Sequence, residues 1–357
     1  MSAYPFETTL TLKPQARFDV IDVAAALKAH CGDIFSGYHK TLYCSLHTTA
    51  GYLDQRLCAR LCNSRSHLER FFRAFQQVFP PDAGYYHDRL ALRTELSEAQ
   101  RQDEPLNGDA HLTFMGAGLQ NCVTYINRPG TPPVYFIDLD GMYHNVQRSR
   151  YTRVLAYNHE VSVHTAHMTI PMSHHAIDSV NLKDPRFGFF DQLDALVHRY
   201  EVHKGRVDIA LGRKEQHAGL TVNEYENLLM QKDLVEVLKD PLRYMARKGK
   251  SFLSDPAAMP GKAKHYALYD LVHIFNELMS TLQVGQSVIE RIVSRVFALP
   301  AVRFLGMKRT MSWLVSGSEA HGAGKLVQGT YQSPILVQWQ QAPQRQRLLD
   351  ITITRFQ

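Results

Sequence analysis

The stretch His39–Leu61, HKTLYCSLHTTAGYLDQRLCARL, reads as an alternating strand, a turn of small residues around Ala50 and Gly51, and a helix. The same plan returns at Gly205–Leu229, GRVDIALGRKEQHAGLTVNEYENLL, with Ala218 and Gly219 at the corresponding turn. This recurrence governs the reading of the whole chain, because segments that recur in one order mark a repeated structural unit.

Further segments recur on either side. TLTLKPQARFDVIDVAAALK gives an alternating strand, Thr9–Lys13, then a turn and an apolar stretch that leads into a helix. MTIPM followed by PRFGFFDQLDALVHRY has the same plan. HLTFMGAGLQNCVTYI and VRFLGMKRTMSWLV, Val302–Val315, both read as strand, Gly, strand, and each precedes a strand that ends its half, PVYFIDLDG or SPILVQW. The repeat puts a join in YNHEVS, near residues 158–163, and predicts two tandem domains, 1–158 and 163–357. Several alternating strands with two helices between them give each half a mixed α+β class with largely antiparallel sheets. Asp240–Lys264, rich in Lys, Pro and Gly, reads as an insertion or mobile loop, and HYALYDLVHIFNELMSTLQ after it as an amphipathic packing helix.

Composition narrows the function classes. With 45% hydrophobic and 21% charged residues in 357, the chain belongs with soluble globular proteins. The start, MSAYPFETTL, lacks a basic region before an apolar run, and eighteen apolar residues never run together, so we expect a cytoplasmic protein with no membrane contact. The net charge of +6 comes from Lys and Arg scattered among Asp and Glu, which argues against nucleic acid and suits a small phosphorylated substrate. Five cysteines, an odd number gathered early in the chain, argue against a disulfide framework. Cys58 and Cys62 would share a helix face and hold half a metal site, or serve as small core residues. The 18 histidines make metal and acid–base chemistry worth testing.

Four motifs in order carry a resemblance: His47-Thr48-Thr49-Ala50-Gly51, then Tyr85-Tyr86-His87-Asp88, then Asn107-Gly108-Asp109-Ala110-His111-Leu112, then Asp138-Leu139-Asp140-Gly141. Over residues 7–157 the chain resembles the YjbQ-like family, the secondary thiamine-phosphate synthases. The second half resembles it at HAGLTVNE, His217–Glu224, and at GKLVQGTYQSPILVQW, Gly324–Trp339. There the histidine of the turn aligns with Glu215 and that of DAHL with Ala301, while the first half has GTPP where the second has Gly329-Thr330-Tyr331-Gln332. The resemblance implies two tandem YjbQ-like domains, homo-oligomeric assembly as a trimer, and transfer of a hydroxymethylpyrimidine from its diphosphate to a thiazole phosphate with release of pyrophosphate.

Three imidazoles from separate segments, His47, His87 and His111, would bind Zn²⁺ with one position open, with Asp109 or Asp88 orienting a ring or serving as a further ligand. Without metal, His47, His111 and Asp109 would act as acid–base groups, and Thr48, Thr49 and turn amides would cradle a phosphate. The third reading is ordinary packing. His87 and His111 sit beside turns, which suits the rim of a pocket. Asp138 and Asp140 point the same way along a strand end and would hold Mg²⁺ or a substrate cation, or close an acidic turn. Tyr331 and Gln332 would stack on and hydrogen-bond a flat heterocycle, facing the first-half site from the second half, or be plain strand residues. His164, His167, His174 and His175 are solvated or packing residues, and GSEAHGAGK lacks Walker spacing and reads as a hairpin loop. The function expected is a YjbQ-like enzyme using a divalent metal, Zn or Mg, on a small phosphorylated or heterocyclic substrate. The alternative is a non-catalytic binding or scaffold protein on the same duplicated fold.

Overall fold

Lys204–Leu211, KGRVDIAL, buries every second residue, the period of a strand with one face on a core. The computed structural model describes residues 4–128, 130, 132–239, 307–317 and 322–357. In the first half these form β1 (Phe6–Leu12), β2 (Asp19–Asp22), α1 (Val23–Cys31), β3 (Lys40–Ser45), β4 (Ala50–Gly51), α2 (Gln55–Arg60) and α3 (Arg65–Val78). There follow α4 (Glu98–Asp103), α5 (Gly108–Gly116), β5 (Cys122–Ile126), β6 (Tyr135–Asp138), β7 (Met142–Tyr143), β8 (Val146–Gln147) and β9 (Arg150–Tyr157). The second half forms β10 (Glu160–Pro171), β11 (Asp178–Asn181), α6 (Phe189–Arg199), β12 (Lys204–Leu211), β13 (Ala218–Asn223) and α7 (Leu234–Lys239). It ends with β14 (Thr310–Ser316), β15 (Lys325–Leu326), β16 (Ser333–Gln338) and β17 (Gln346–Phe356).

Strand pairing is antiparallel and has the same order in both halves. One sheet runs β1-β9-β3-β5 and its counterpart β10-β17-β12-β14, with β15 added at the edge. A small sheet runs β2-β6-β4 and its counterpart β11-β16-β13. Registers agree as well: Asp138 on β6 faces Asp19 and Ala50, while Gln338 on β16 faces Asp178 and Ala218. The class is therefore α+β with antiparallel sheets and helices.

The compact units do not follow the boundary expected near residues 158–163. One unit comprises the described residues of Met1–Gln55, Gly118–Tyr225 and Met307–Gln357, and the other those of Arg56–Ala117 and Glu226–Gly306. The physical reason lies in the first unit, where Leu42, Cys44, Cys122, Leu155 and Tyr157 of one sheet bury against Leu314 and Phe356 of the other. Tyr157 and Phe356 stack face to face, with ring centroids 3.8 Å apart at 4°. A second core in this unit packs α6 on the far face of the second sheet, through Leu193, Val197, Val207, Trp313 and Ile351.

The described residues of the second unit are helical, and they correct the expectation at NGDAHLTFMG. The strand–Gly–strand reading gives way to α5, in which all nine residues are buried. A helix buried on every side shows no 3.6-residue polar period, so HLTFM looked like a buried strand. Gly108 and Gly116 allow the burial: a Cβ on Gly108 would lie 2.8 Å from Tyr85 Cβ, and one on Gly116 2.8 Å from Phe79 Cε2. Cys58 and Cys62 do not share a helix face, because α2 stops at Arg60 and Cys62 has φ 56°, in the left-handed region. Among the described residues no helix is long and apolar enough to cross a membrane. The insertion at 240–264, the helix after it, residues 302–306 and part of GSEAHGAGK lie outside the described residues.

Candidate functional site: a buried histidine centre

His87 is fully buried in the helical unit, and both its ring nitrogens face oxygens. Nδ1 lies 3.0 Å from Glu226 Oε2, and Nε2 lies 3.1 Å from Asn107 Oδ1. A neutral ring meets both contacts by donating from Nδ1 to Glu226 and accepting at Nε2 from a flipped Asn107 amide, whereas an imidazolium donates at both. Burial would raise the Glu226 carboxyl, but hydrogen bonds from His87 and from the N–H groups of Leu228 and Leu229 outweigh it and hold it below the ordinary carboxylate range.

The main chain around His87 is fixed by a second carboxylate. Asp233 accepts the N–H of Tyr86 at 3.0 Å and that of His87 at 2.9 Å. Asp233 closes a π-helical turn, Leu229–Asp233, a distortion often found where a helix is bent to place a side chain. The edge of the His87 ring meets His111, with centroids 4.9 Å apart at 72°. His111 lies on α5, whose first turn also carries the buried Asp109, a position that suits an anion at a helix N-terminus. Asp88 accepts the N–H of Gly108 at 2.9 Å and so pins the same end of α5. Neither histidine stands at an open rim, which corrects that expectation: both are buried.

His47 belongs to the sheet unit, just past the end of β3 as expected. Its Nε2 accepts the N–H of Tyr151 at 2.7 Å, and the ring stacks on Tyr151. Burial, assisted by the Arg150 and Arg148 charges, pushes its pKa down to about 3, so the ring is neutral. Nε2 of His47 and both ring nitrogens of His87 hold hydrogen bonds in this structure.

Beside His47, Asp138 and Asp140 each hold a guanidinium. Arg150 donates to both oxygens of Asp138, at 2.7 and 2.9 Å, and also to the Asp140 carbonyl. Arg148 donates to the Asp140 carboxylate. Burial still pushes the Asp138 carboxyl above its ordinary value, against the pull of Arg150. The turn after His47 is held from the second half of the chain. Gln332 donates from Nε2 to the carbonyls of Ser45 and His47, and Asn223 donates to that of Thr48. The Thr49 carbonyl accepts the N–H of Leu139. Gln332 is thus brought to the His47 turn, while Tyr331 is 69% exposed. His164 stacks on Tyr200 and the exposed His167 meets Asp350, which are packing and solvated roles.

Sequence reading missed Glu226, Asn107, Asp233, Arg148 and Arg150. Asn107 stands directly before Gly108-Asp109, and QRSR follows the acidic DLDG closely, so those two signals were present. Glu226 lies 139 positions from His87, just before a helix whose first N–H groups it accepts, and left none.

No family model matches the chain, and no curated protein matches it. Among solved structures, it is similar to a YbjQ-like protein of unknown function from Sulfolobus solfataricus P2, at 18% identity and TM-score 0.29, over 55% of this chain and 99% of that one. A hypothetical protein from Aeropyrum pernix K1 is similar at 13% identity and TM-score 0.29, over 54% of this chain and 98% of that one. An uncharacterized conserved protein of the YjbQ/UPF0047 family from Clostridium acetobutylicum is similar at 13% identity and TM-score 0.26, over 53% of this chain and 98% of that one. Likenesses at such scores assign this chain no ligand, substrate or partner.

Proposed function

We propose that the chain is a YjbQ-like enzyme acting on a small phosphorylated substrate, with the His87–His111 pair as its acid–base centre. The observation that carries this reading is the anchored His87 ring, 3.0 Å from Glu226 on one side and in edge contact with His111 on another. A carboxylate behind an imidazole fixes its orientation and favours its protonated form, the form that donates to phosphate. In the transfer that the resemblance implies, the bond from the pyrimidine methylene carbon to the pyrophosphate oxygen breaks and one from that carbon to the thiazole nitrogen forms. His87 would donate a hydrogen bond to the departing pyrophosphate, with His111 and Asp109 beside it. Because both rings are buried, substrate reaches them only after a packed neighbour moves.

Zinc binding is the second reading, favoured by ring nitrogens of His87 and His111 that lie within 4.8 Å of one another. Imidazole donors fit Zn²⁺ far better than Mg²⁺. A zinc ion would lower the pKa of a bound water or polarise a phosphoryl oxygen, and His87 would exchange Asn107 for it.

The test is pyrophosphate release from hydroxymethylpyrimidine diphosphate and thiazole phosphate by the purified chain. His111→Ala and Glu226→Gln should each lower turnover by roughly 100-fold or more. Unchanged turnover in both would overturn the proposal. Zinc near one per chain by elemental analysis, lost in His111→Ala, would favour the metal reading. Neither turnover nor a thermal shift with any phosphorylated heterocycle would leave the non-catalytic scaffold as the reading.

The same proposal takes the chain as two YjbQ-like copies in tandem, which the recurring strand order and registers support. Light scattering after size exclusion tests the trimer that goes with it.

A further inference from the structure

Each half of the sheet unit buries one arginine at the start of its last strand, and the two are held alike. In the first half Arg150, 3% exposed, donates to Asp138 and to the Asp140 carbonyl. In the second, Arg347, 2% exposed, donates from Nε to Gln338 at 3.4 Å and to the Gln340 carbonyl at 2.6 Å. Asp138 and Gln338 occupy the same register, opposite Ala50 and Ala218. The residue after each arginine is also held alike. The N–H of Tyr151 donates to His47 Nε2 at 2.7 Å, and that of Leu348 donates to Glu215 Oε1 at 2.9 Å. His47 and Glu215 each stand three residues before the alanine of their turn, Ala50 or Ala218.

The charges at these two positions are exchanged. The first half has a carboxylate at the strand position, Asp138, and an uncharged ring in the turn. The second has an uncharged amide at the strand position and a carboxylate in the turn, where Glu215 Oε2 takes Arg347 at 2.8 Å. A buried guanidinium needs one opposite charge close by, and in each half it has one at these two positions.

We infer that His47 is the structural counterpart of Glu215: both halves keep the same buried arginine, and its balancing carboxylate can stand at either of two interchangeable positions. On this account His47 is a positioning residue, selected to accept the Tyr151 N–H without adding a second negative charge beside Asp138. The inference goes beyond the proposed function, since the histidine centre of the helical unit plays no part in it.

Exchange of the two solutions tests it on the full chain, by thermal midpoint. Asp138→Gln alone strands the Arg150 charge and should lower the midpoint by roughly 10 °C. Adding His47→Glu should restore it to within about 3 °C of the parent, whereas adding His47→Gln should not. If Asp138→Gln does not fold, the reciprocal exchange decides: Gln338→Asp with Glu215→His should melt within about 3 °C of the parent, and Glu215→His alone should melt far lower. No recovery in either half, or equal recovery with His47→Gln, would overturn the inference.

Discussion

At the scale of the residue, the histidines were visible in the sequence and their partners were not. His87 and His111 stood out as polar residues in short motifs, yet what fixes the His87 ring is Glu226, far along the chain in a stretch without a motif. Glu226→Gln removes the charge from the hydrogen bond to His87, so it should cost about 1.5–3 kcal/mol by urea unfolding. The Glu226 carboxyl is held below its ordinary value, so its stabilisation is present above the unfolded carboxylate pKa and is lost as pH falls through the folded one. That acid-dependent component should vanish in Glu226→Gln. His47 behaves in a related way. Its pKa falls to about 3 on folding, so from the ordinary imidazole value down to about 3 the unfolded chain binds a proton that the folded chain does not. Stability should fall as pH drops through that window, by at most about 1.4 kcal/mol per pH unit for one proton. His47→Gln should flatten this slope, and an unchanged slope would show that the ring is solvated.

At the scale of the element, strands were legible and α5 was not. Strands with one face on a core alternate, and β12 fell where that pattern put it, while β1 starts three residues before the Thr9–Lys13 expected and β16 is buried on both faces. A helix whose every residue is buried has no polar face to betray its period, so only its ends carried information, and those ends are glycines chosen for close approach. Gly108 packs on the stem of the Tyr85 side chain, which cannot swing aside as a ring tip can. Gly108→Ala should therefore destabilise by about 1–3 kcal/mol, despite the better helix propensity of alanine. It should also disturb the His87–His111 contact, seen as shifted imidazole resonances in the NMR spectrum. Gly116→Ala meets the edge of the Phe79 ring, which can tilt, and should cost less.

At the scale of the molecule, the sequence carried the repeated order of strands but not the way the described residues divide into compact units. Contacts between distant strands decide that division, and no local pattern encodes them. In the sheet unit the buried surface between the two sheets is drawn from both halves, through Leu42, Leu155 and Tyr157 on one side and Leu314 and Phe356 on the other. Phe356→Ala should accordingly cost about 3–5 kcal/mol. Amide hydrogen exchange should quicken in β3 and β9 as much as in β17, and a change confined to β17 would contradict a shared core. Tyr157 and Phe356, which stack there, are the aromatics that end the last strand of each half. An aromatic that meets the matching residue of a similar unit makes the kind of self-complementary contact through which separate subunits pair about a two-fold axis. Here both sides of that contact travel on one polypeptide, through the short link between β9 and β10. The encounter is intramolecular, at an effective concentration set by the link, so the stack should persist at dilutions where two unlinked halves would drift apart.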